Sequence, residues 1–433
     1  MRILLITSEE WNDVVYGNNI LTNWFADFDA EFAQIYCSPG LPNNSICNLF
    51  FQITDRQMLK SLFSKYTAGK EISQDKNVKY ANVNAQRQGI YRYMKNISMI
   101  FNTLLQLVRD FIWIKGRYDI DALRSFVSTF NPDIVYCPRF VSPKLMRLET
   151  IVSKMTDAPF VAFTADNEVS LNCYSWSPLF WLRRLYVNQM FRKHVKLYKH
   201  YFMFSEEQAV EYQRDYGVST SCLYKSGSFP TCFNNKDTGS PIRLVYAGRL
   251  YCNRWKTLSA IGEALRLINQ GGIKMVLDIF TQENLTDKQR KALCEENYIY
   301  LKGAVTPEQL KMEYHKADIA LHVESFDKSN RMATRYSFST KIIDLMSSSC
   351  AILAICWEKH AGYAYLNKYD AAICISDVKD IFPVLQRIVE HPLLIKEYAQ
   401  KAWNCGRQNH SKEIISRVIR EKFYEIICQK RNR

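Results

Sequence analysis

Short apolar runs alternate with longer amphipathic segments along most of the chain. In the first half, apolar runs typical of buried strands occur at Ile3–Thr7, Phe32–Tyr36, Ile134–Cys137 and Phe160–Thr164. The alternation restarts in the second half, with predicted strands at Leu244–Ala247, Met275–Phe280, Ile299–Leu301, Ile319–Val323 and Cys350–Ile355. Strands that alternate with helices favour parallel sheets covered on both faces. The pattern therefore predicts an α/β protein with two doubly wound, Rossmann-like domains.

A polar segment separates the two halves. Phe233–Pro241 is rich in Asn, Gly and Ser, which is typical of a linker. We therefore expect an N-terminal domain over residues 1–235 and a second domain over residues 241–400. Residues 401–433 are helical in pattern and are expected to return to the first domain.

The net charge limits the classes of partner. The 433 residues carry 57 Lys and Arg against 43 acidic residues, a net charge of +14. Such an excess favours nucleotide phosphates, nucleic acid or an anionic membrane, although a merely solubilising surface is an alternative. The 13 cysteines contain no C-x-x-C pair, which argues against zinc ribbons and favours reduced thiols.

Targeting signals are also lacking in the pattern. The first residues are too short for a signal peptide, and no apolar run reaches the roughly 18 residues of a membrane span. We expect a cytoplasmic protein, either soluble or peripheral on the inner face of the cytoplasmic membrane.

Two segments of the first half mix aromatic with basic residues. Met94–Ile114 predicts a long helix, and Trp176–Tyr201 predicts a second one. Helices of this kind can lie at an anionic membrane interface. A packed helix with one basic, solvated face explains the same pattern.

The segment Arg335–Ile355 combines a polar cluster, a short helix and a buried strand. Ser339 is the expected N-cap, and Thr340 and Lys341 follow it. A helix N-terminus exposes N–H groups that suit a diphosphate, and Lys341 would add a full positive charge. Asp344, about one turn further along, could accept hydrogen bonds from sugar hydroxyls. An ordinary capped helix with a solvated Lys and Asp is the alternative.

Polar or glycine-containing loops follow the other strands of the second half. They contain Gly248 and Arg249, Arg254, Gly303 to Val305, and Glu324. Two arginines and a lysine beside a helix N-terminus could hold a diphosphate by charge and bidentate hydrogen bonds. Such binding needs no metal, and the second half has no D-x-D pair that would mark a metal-bridged diphosphate.

The first half offers two weaker candidates. Gly17 lies in a Gly- and Asn-containing loop after the first strand, where α/β folds bind phosphates. Asp166 follows the strand Phe160–Thr164 directly, a position that faces the ligand crevice of an open sheet. A plain strand-to-helix turn and an Asx turn are the respective alternatives.

Five motifs in the second half occur in the order found in a known family. They are Leu244–Leu250, Arg254, Leu301–Leu310, Ala317–Leu321 and Ser339–Met346. With this set the second half resembles the donor-binding domain of GT-B glycosyltransferases and is most similar to glycosyltransferase family 4. The resemblance covers about 160 residues well and implies a GT-B fold with two domains facing a cleft.

The resemblance also implies an activity and roles for residues. It implies a hexosyltransferase-like enzyme that takes the sugar from a UDP- or GDP-linked donor, without cofactor or metal and with retention of configuration. Arg249, Arg254 and the 337–341 segment would stabilise the departing diphosphate, with Asp344 on the ribose. Gly17, Gly248, Gly303, Val305, Glu324, Ser339, Thr340 and Lys341 complete the expected donor site.

The sequence departs from the family at two places. The family's first glutamate, which contacts the donor sugar, falls on Tyr336, and Glu324 is a possible substitute. The usual histidine of the first domain is missing, and Asp166 is the nearest polar candidate, as acceptor base or orienter. If Asp166 is a true base, inversion of configuration becomes possible.

The expected acceptor is a lipid-linked glycan in cell-surface polysaccharide synthesis, and nucleic acid is not expected as a partner. Two alternatives remain open: another GT-B enzyme, such as a nucleotide-sugar epimerase, and a non-enzymatic basic module that binds nucleic acid or membrane. Arg254→Ala is expected to reduce kcat sharply with little loss of fold.

Overall fold

The computed structural model describes residues 1–15, 20–72, 103–138, 141–294 and 297–431. The chain forms two compact units: residues 1–223 with 418–433, and residues 224–417. Each unit is built around its own parallel sheet. Gly17 and the first part of the predicted helix Met94–Ile114 lie outside the described residues.

The first unit contains an eight-stranded sheet in the order β4-β3-β2-β1-β5-β6-β7-β8. All neighbours are parallel except the pair β3 and β4. The strands are β1 Arg2–Thr7, β2 Glu31–Tyr36, β3 Leu49–Gln52, β4 Lys70–Ile72, β5 Ile134–Pro138, β6 Phe160–Thr164, β7 Tyr198–Met203 and β8 Thr220–Cys222.

Helices cover both faces of this sheet. They are α1 Ile20–Phe25, α2 Asp55–Phe63, α3 over residues 103–115, α4 Ile120–Phe130, α5 Pro143–Val152, α6 Pro178–His194 and α7 Glu206–Tyr216. Several begin at a side chain that accepts the N–H three residues on, as Thr54, Asp119 and Ser205 do. Gly217 ends α7 with a left-handed φ of 67°, which glycine adopts without strain.

The end of the chain packs on the first unit. In α16, Lys412–Arg431, the fully buried Phe423 contacts Tyr136 and Phe28 at ring-centroid distances of 5.4 and 6.4 Å. The prediction that the C-terminal segment is helical is therefore confirmed.

The second unit contains a six-stranded, fully parallel sheet in the order β11-β10-β9-β12-β13-β14. Its strands are β9 Ile242–Ala247, β10 Met275–Phe280, β11 Ile299–Gly303, β12 Ile319–Val323, β13 Ala351–Ile355 and β14 Ile373–Ile375. This is the order of the dinucleotide-binding fold, in which chain direction across the sheet reverses between the first and fourth strands, here β9 and β12.

The helices of the second unit start mostly at polar caps and pack on an aliphatic core. They are α8 Arg254–Ile268, α9 Asp287–Leu293, α10 Pro307–Lys316, α11 Lys328–Thr334, α12 Lys341–Ser347, α13 Ala361–Lys368, α14 Ile381–Glu390 and α15 Leu393–His410. Thr286 and Thr306 form capping boxes with Gln289 and Gln309.

The nine strands named above are all present, each within two residues of its expected ends, whereas a tenth, predicted over residues 201–205, starts three residues earlier as β7. Fully buried apolar runs such as Ala351–Ile355 carry a strong strand signal because both faces of the sheet are covered. The helix predicted over Trp176–Tyr201 is shorter than expected, since it ends at His194 and Tyr198 already starts β7.

The predicted linker is attached to the second unit. Asp318 accepts hydrogen bonds from the N–H groups of Gly239 and Arg243, and Lys236 donates to the carbonyl oxygen of Tyr314. The division between the units falls earlier in the chain, between Leu223 and Tyr224.

None of the helices in the described ranges is long and apolar enough to cross a lipid bilayer.

The first unit contains a buried histidine that makes stability depend on pH. His200 Nδ1 and Nε2 lie 2.9 and 2.8 Å from the hydroxyls of Ser219 and Ser221. Burial, and then the positive charge of Lys422, lower its pKa to about 4, so the folded state favours the neutral ring. In the unfolded chain a histidine takes up a proton below about pH 6.5.

Acid should therefore destabilise the protein through His200. Between about pH 6.5 and 4 the free energy of unfolding should fall by about 1.4 kcal/mol per pH unit for this residue. His200→Gln, which cannot titrate, should lower stability at pH 7 but flatten this slope in denaturant unfolding curves at several pH values. An unchanged slope would contradict the assignment.

Candidate functional site

A buried ion pair joins the two strand ends at the switch point of the second sheet. Arg254 opens α8 in the connection after β9, and Glu324 follows β12 directly. Arg254 Nε donates to Glu324 Oε2 at 2.9 Å, and Nη2 donates to Oε1 at 2.5 Å. The two side chains are only 14% and 5% exposed. Burial alone would lower the pKa of Arg254, but the charge and hydrogen bonds of Glu324 outweigh it and raise that pKa.

The loop after β9 is held at both ends by side-chain hydrogen bonds. The Tyr246 hydroxyl donates to the carbonyl oxygen of Arg249 at 2.7 Å, and Glu283 Oε2 accepts from the N–H of Leu250 at 2.7 Å. The Arg249 side chain is exposed, and within the described ranges it has no hydrogen bond or ion pair. The backbone of this loop is therefore held in place, while the Arg249 guanidinium is available to a ligand.

Lys341 brings a third positive charge to the same place. Its amine donates to the carbonyl oxygen of Ala247 at 3.0 Å. A Cβ atom on Gly248 would lie 2.6 Å from that amine, so glycine leaves the room it occupies. Desolvation lowers the pKa of Lys341, and the charges of Arg254 and Arg249 lower it further. Lys341 is thus close enough to both arginines to be repelled by their charges.

The helix start that follows differs from the prediction. Thr340, not Ser339, is the N-cap of α12, and its hydroxyl makes no capping hydrogen bond in the described structure. The helix also has only seven residues. Ser339 was a good candidate by residue type. Its carbonyl oxygen accepts from the Ile342 N–H, so a turn already begins at Ser339 and α12 follows from it.

Asp344 lies on α12 with an unexpected partner. Lys225 Nζ donates to its two carboxylate oxygens at 3.0 and 3.3 Å, while the carboxylate stays 51% exposed. A ribose would have to share or replace this bond. Tyr336 is fully buried, with the Arg335 guanidinium 4.6 Å from its ring centroid. Tyr336, which the sequence resemblance aligns with a glutamate of glycosyltransferase family 4, is therefore part of the core.

The loop after β11 has the conformation that its glycine allows. Gly303 has a φ of 76°, in the left-handed region, and accepts at its carbonyl oxygen from the Thr281 N–H. Val305 is half-buried directly before the cap of α10. Both residues lie at the carboxyl edge of the sheet, as predicted.

Asp166 lies in a firmly held loop of the first unit. Gln208 donates to its carbonyl oxygen at 2.9 Å, and Arg184 donates to the Asn167 side-chain oxygen at 2.8 Å. The neighbouring Glu168 also accepts from the Thr164 hydroxyl at 3.2 Å. Gly17, the other candidate of this half, lies outside the described residues.

Two residues that support the site, Glu283 and Lys225, were missed from the sequence, and so was the pairing of Glu324 with Arg254. Glu283 had a usable signal, since it follows β10 at the same sheet edge as the loops that were selected. Lys225 had none, because its partner is 119 residues away.

Comparison with known proteins identifies the fold. No protein-family model matches the chain, and a sequence search of curated proteins gives no match. Among solved structures, HepE of Anabaena in complex with UDP is 12% identical with a TM-score of 0.60, covering 98% of this chain and all 100% of that one. Sucrose-phosphate synthase from Thermosynechococcus elongatus is 12% identical with a TM-score of 0.59, covering 99% and 100%.

A third structure agrees with these two. The UDP-forming α,α-trehalose-phosphate synthase of Burkholderia vietnamiensis is 9% identical with a TM-score of 0.58, covering 98% of this chain and 100% of that one. The two parallel-sheet units and these full-length likenesses show that the chain has the GT-B fold, as the sequence predicted.

The buried pair changes what is expected of Arg254→Ala. Removing the guanidinium leaves Glu324 buried without its partner, which should cost about 3–5 kcal/mol of stability. Arg249→Ala, at an exposed and unpaired side chain, should stay within about 0.5 kcal/mol. Chemical unfolding of both variants checks this, and equal stabilities would mean that the ion pair contributes nothing.

Proposed function

We propose that the chain is a glycosyltransferase that moves a sugar from a nucleotide-sugar donor to an acceptor hydroxyl. The observation that carries the proposal is the group of three cations at the switch point, in which Lys341 lies beside Gly248 and close to Arg249 and Arg254. Open α/β sheets bind ligands at this point. Two of the similar structures support the donor class: one is a complex with UDP, and the other is a UDP-forming synthase.

The roles proposed for the donor site combine these contacts with the family resemblance. Arg249 and Lys341 bind the diphosphate, and Arg254 contributes a fixed charge that Glu324 orients. A bound anion would relieve the repulsion among the cations, and it would do so most as the leaving group gains charge. Gly303 and Val305 border the base, Asp344 reaches the ribose, and Ser339 and Thr340 offer hydroxyls to the phosphate.

The finer parts of the proposal rest on the family resemblance. They are a UDP- or GDP-linked donor, independence from metal, retention of configuration, and Asp166 as the group that meets the acceptor. Because Glu324 is paired with Arg254, we assign it as a positioning residue and not as the contact to the donor sugar.

The proposed acceptor is a lipid-linked glycan of cell-surface polysaccharide synthesis. An exposed apolar face on the first unit supports it: α6 presents Leu182, Leu185 and Tyr186 to solvent, with Lys193 two turns further along. The neighbouring α3 adds exposed Leu105, Val108 and Phe111.

The two helices are fixed beside each other. Arg183 Nε on α6 donates to the buried carboxylate of Asp110 on α3 at 3.0 Å. Arg184 is likewise used internally, on the Asp166 loop. The face is therefore apolar at its centre with a basic end, and with the net charge of +14 it suits an anionic lipid surface.

Nucleotide binding tests the donor site. UDP or GDP should raise the melting temperature of the protein, and EDTA should leave the rise unchanged. Arg249→Ala should weaken nucleotide binding by about tenfold or more, because it removes a charged hydrogen bond worth about 1.5–3 kcal/mol. Arg266→Ala, at the far end of α8, is the matched control.

The outcome separates the candidates. No response to any nucleotide or nucleotide sugar would refute the donor site. Product formed from the nucleotide sugar without an added acceptor would favour an epimerase. Binding to any polyanion with a steep salt dependence, and no nucleotide response, would favour a non-enzymatic basic module.

Vesicle sedimentation tests the membrane part. The protein should bind anionic phosphatidylglycerol vesicles more than phosphatidylcholine vesicles. The double variant Leu182→Ser and Leu185→Ser should weaken this binding about tenfold or more, since each leucine loses apolar burial in the lipid. Leu393→Ser, an 81% exposed leucine of the second unit, should not. Equal vesicle binding by the wild type and both variants would show that the α6 face does not bind the membrane.

A further inference from the structure

A compact group of metal-ligating side chains lies in the second unit, apart from the proposed phosphate contacts. His322 is in β12, Cys356 follows β13, and His360 is the N-cap of α13. One ligand atom from each residue lies within 4.8 Å of the other two. All three residues are buried, with exposures of 6%, 0% and 2%. Among the residues that the structure describes, no other group of three metal-ligating side chains is found.

The two imidazoles leave nitrogen atoms without partners. The Nε2 atoms of both His322 and His360 are buried and lack a hydrogen-bond partner in the described structure. A buried polar group without a partner costs about 1–3 kcal/mol. Two such atoms side by side, with a thiol next to them, need an explanation that ordinary core packing does not supply.

Glycine keeps the space beside the rings open. A Cβ on Gly362 would lie 2.7 Å from His322 Nε2 and 3.3 Å from His360 Nδ1. Any larger residue at this position would push against both imidazole rings. The centroids of the His322 and His360 rings are 5.6 Å apart, so one nitrogen atom of each ring can face the same ion.

We infer that His322, Cys356 and His360 form a binding site for Zn²⁺. Two imidazole nitrogens and one thiolate are ligands that zinc prefers, with a fourth position left to water. In a tetrahedral zinc site such atoms lie about 3.3–3.6 Å apart, so the group must contract by about 1 Å. This site lies within the protein interior and is separate from the metal-free diphosphate binding proposed above.

Binding requires one proton to leave and another to move. The Cys356 thiol, which lies 3.6 Å from the carbonyl oxygen of His322, loses its proton to solvent when the sulfur–zinc bond forms. His360 Nδ1 now accepts from the Gly362 N–H at 3.2 Å, so its ring proton must shift from Nε2 to Nδ1. This weak cap bond is lost, and the zinc–nitrogen bond replaces it.

Two cations and one carboxylate act on this group of residues. Arg254 and Lys341 lie close enough to His322 to disfavour positive charge there. The thiolate formed on binding and the carboxylate of Glu324, which acts on both Cys356 and His360, oppose them. A bound ion would tie β12, β13 and α13 together directly beneath the strand end that carries Glu324. Its effect would be to position, not to react.

Metal content and spectroscopy of the full chain test the site. The protein, kept reduced and stripped with a chelator, should take up one Zn²⁺ per chain and melt at a higher temperature. With Co²⁺ as the probe it should show a thiolate-to-cobalt charge-transfer band and the intense visible bands of a tetrahedral ion.

Matched variants separate this site from the other cysteines. Cys356→Ser should lose the zinc and the charge-transfer band. His360→Asn should lose the zinc while it keeps a side-chain cap on α13, because asparagine is a good N-cap. Cys350→Ser removes another buried thiol, one that donates to the Tyr314 carbonyl oxygen, and should keep both.

Each result supports or overturns the proposed zinc site. Zinc that stays bound in Cys356→Ser or His360→Asn belongs elsewhere and overturns the proposal, as does failure of the wild-type protein to bind Zn²⁺. If Cys356→Ser does not fold, the cobalt spectrum of the wild type and the zinc content of His360→Asn give the answer. Since these readouts do not depend on turnover, they are independent of the proposed transferase activity.

Discussion

The ion pair between Arg254 and Glu324 is the constraint on which the second unit's site depends. It joins the segment after β9 to the end of β12. The order of strands in the sheet reverses between these two strands. Because both charges are nearly buried, each is stable only with the other in place. The pair therefore fixes where α8 begins relative to β12, and with it the position of the Gly248 loop.

The side chains at the switch point carry more positive than negative charge, which favours an anion. Glu324 neutralises Arg254, but Lys341 and Arg249 add two further positive charges around Gly248. Burial lowers the pKa of Lys341 most, and the charges of Arg254 and Arg249 lower it further. Fixed charges that are already in place need no reorganisation when a leaving diphosphate gains charge. This is the link between the fold and the proposed chemistry.

Prediction from the sequence succeeded for positions that follow from local pattern. Buried strands such as Ile319–Val323 and the polar residues directly after them could be read from hydrophobic runs and loop composition. Their common location then follows from parallel topology. The N-cap of α12 was missed by one residue, because Ser339 and Thr340 are equally suitable by type and only the backbone hydrogen bonds distinguish them.

Pairings between distant residues could not be predicted. Asp344 meets Lys225 across 119 positions, and Glu324 meets Arg254 across 70. A sequence gives the residue types but not which two share a location, since register and side-chain direction decide that. The histidines at 322 and 360 are of the same kind: separately each is unremarkable, and only the sheet places them next to Cys356.

The sequence by itself determined the class of fold, the order of most strands and helices, and the loops from which a phosphate site could be built. These depend on periodicity and on turn residues, which are local properties of the chain. The tertiary structure alone decided which charges are paired, which arginine is left uncommitted and which polar atoms are buried without partners. Burial and proximity arise only when segments far apart in sequence pack together, so no single stretch of the chain contains that information.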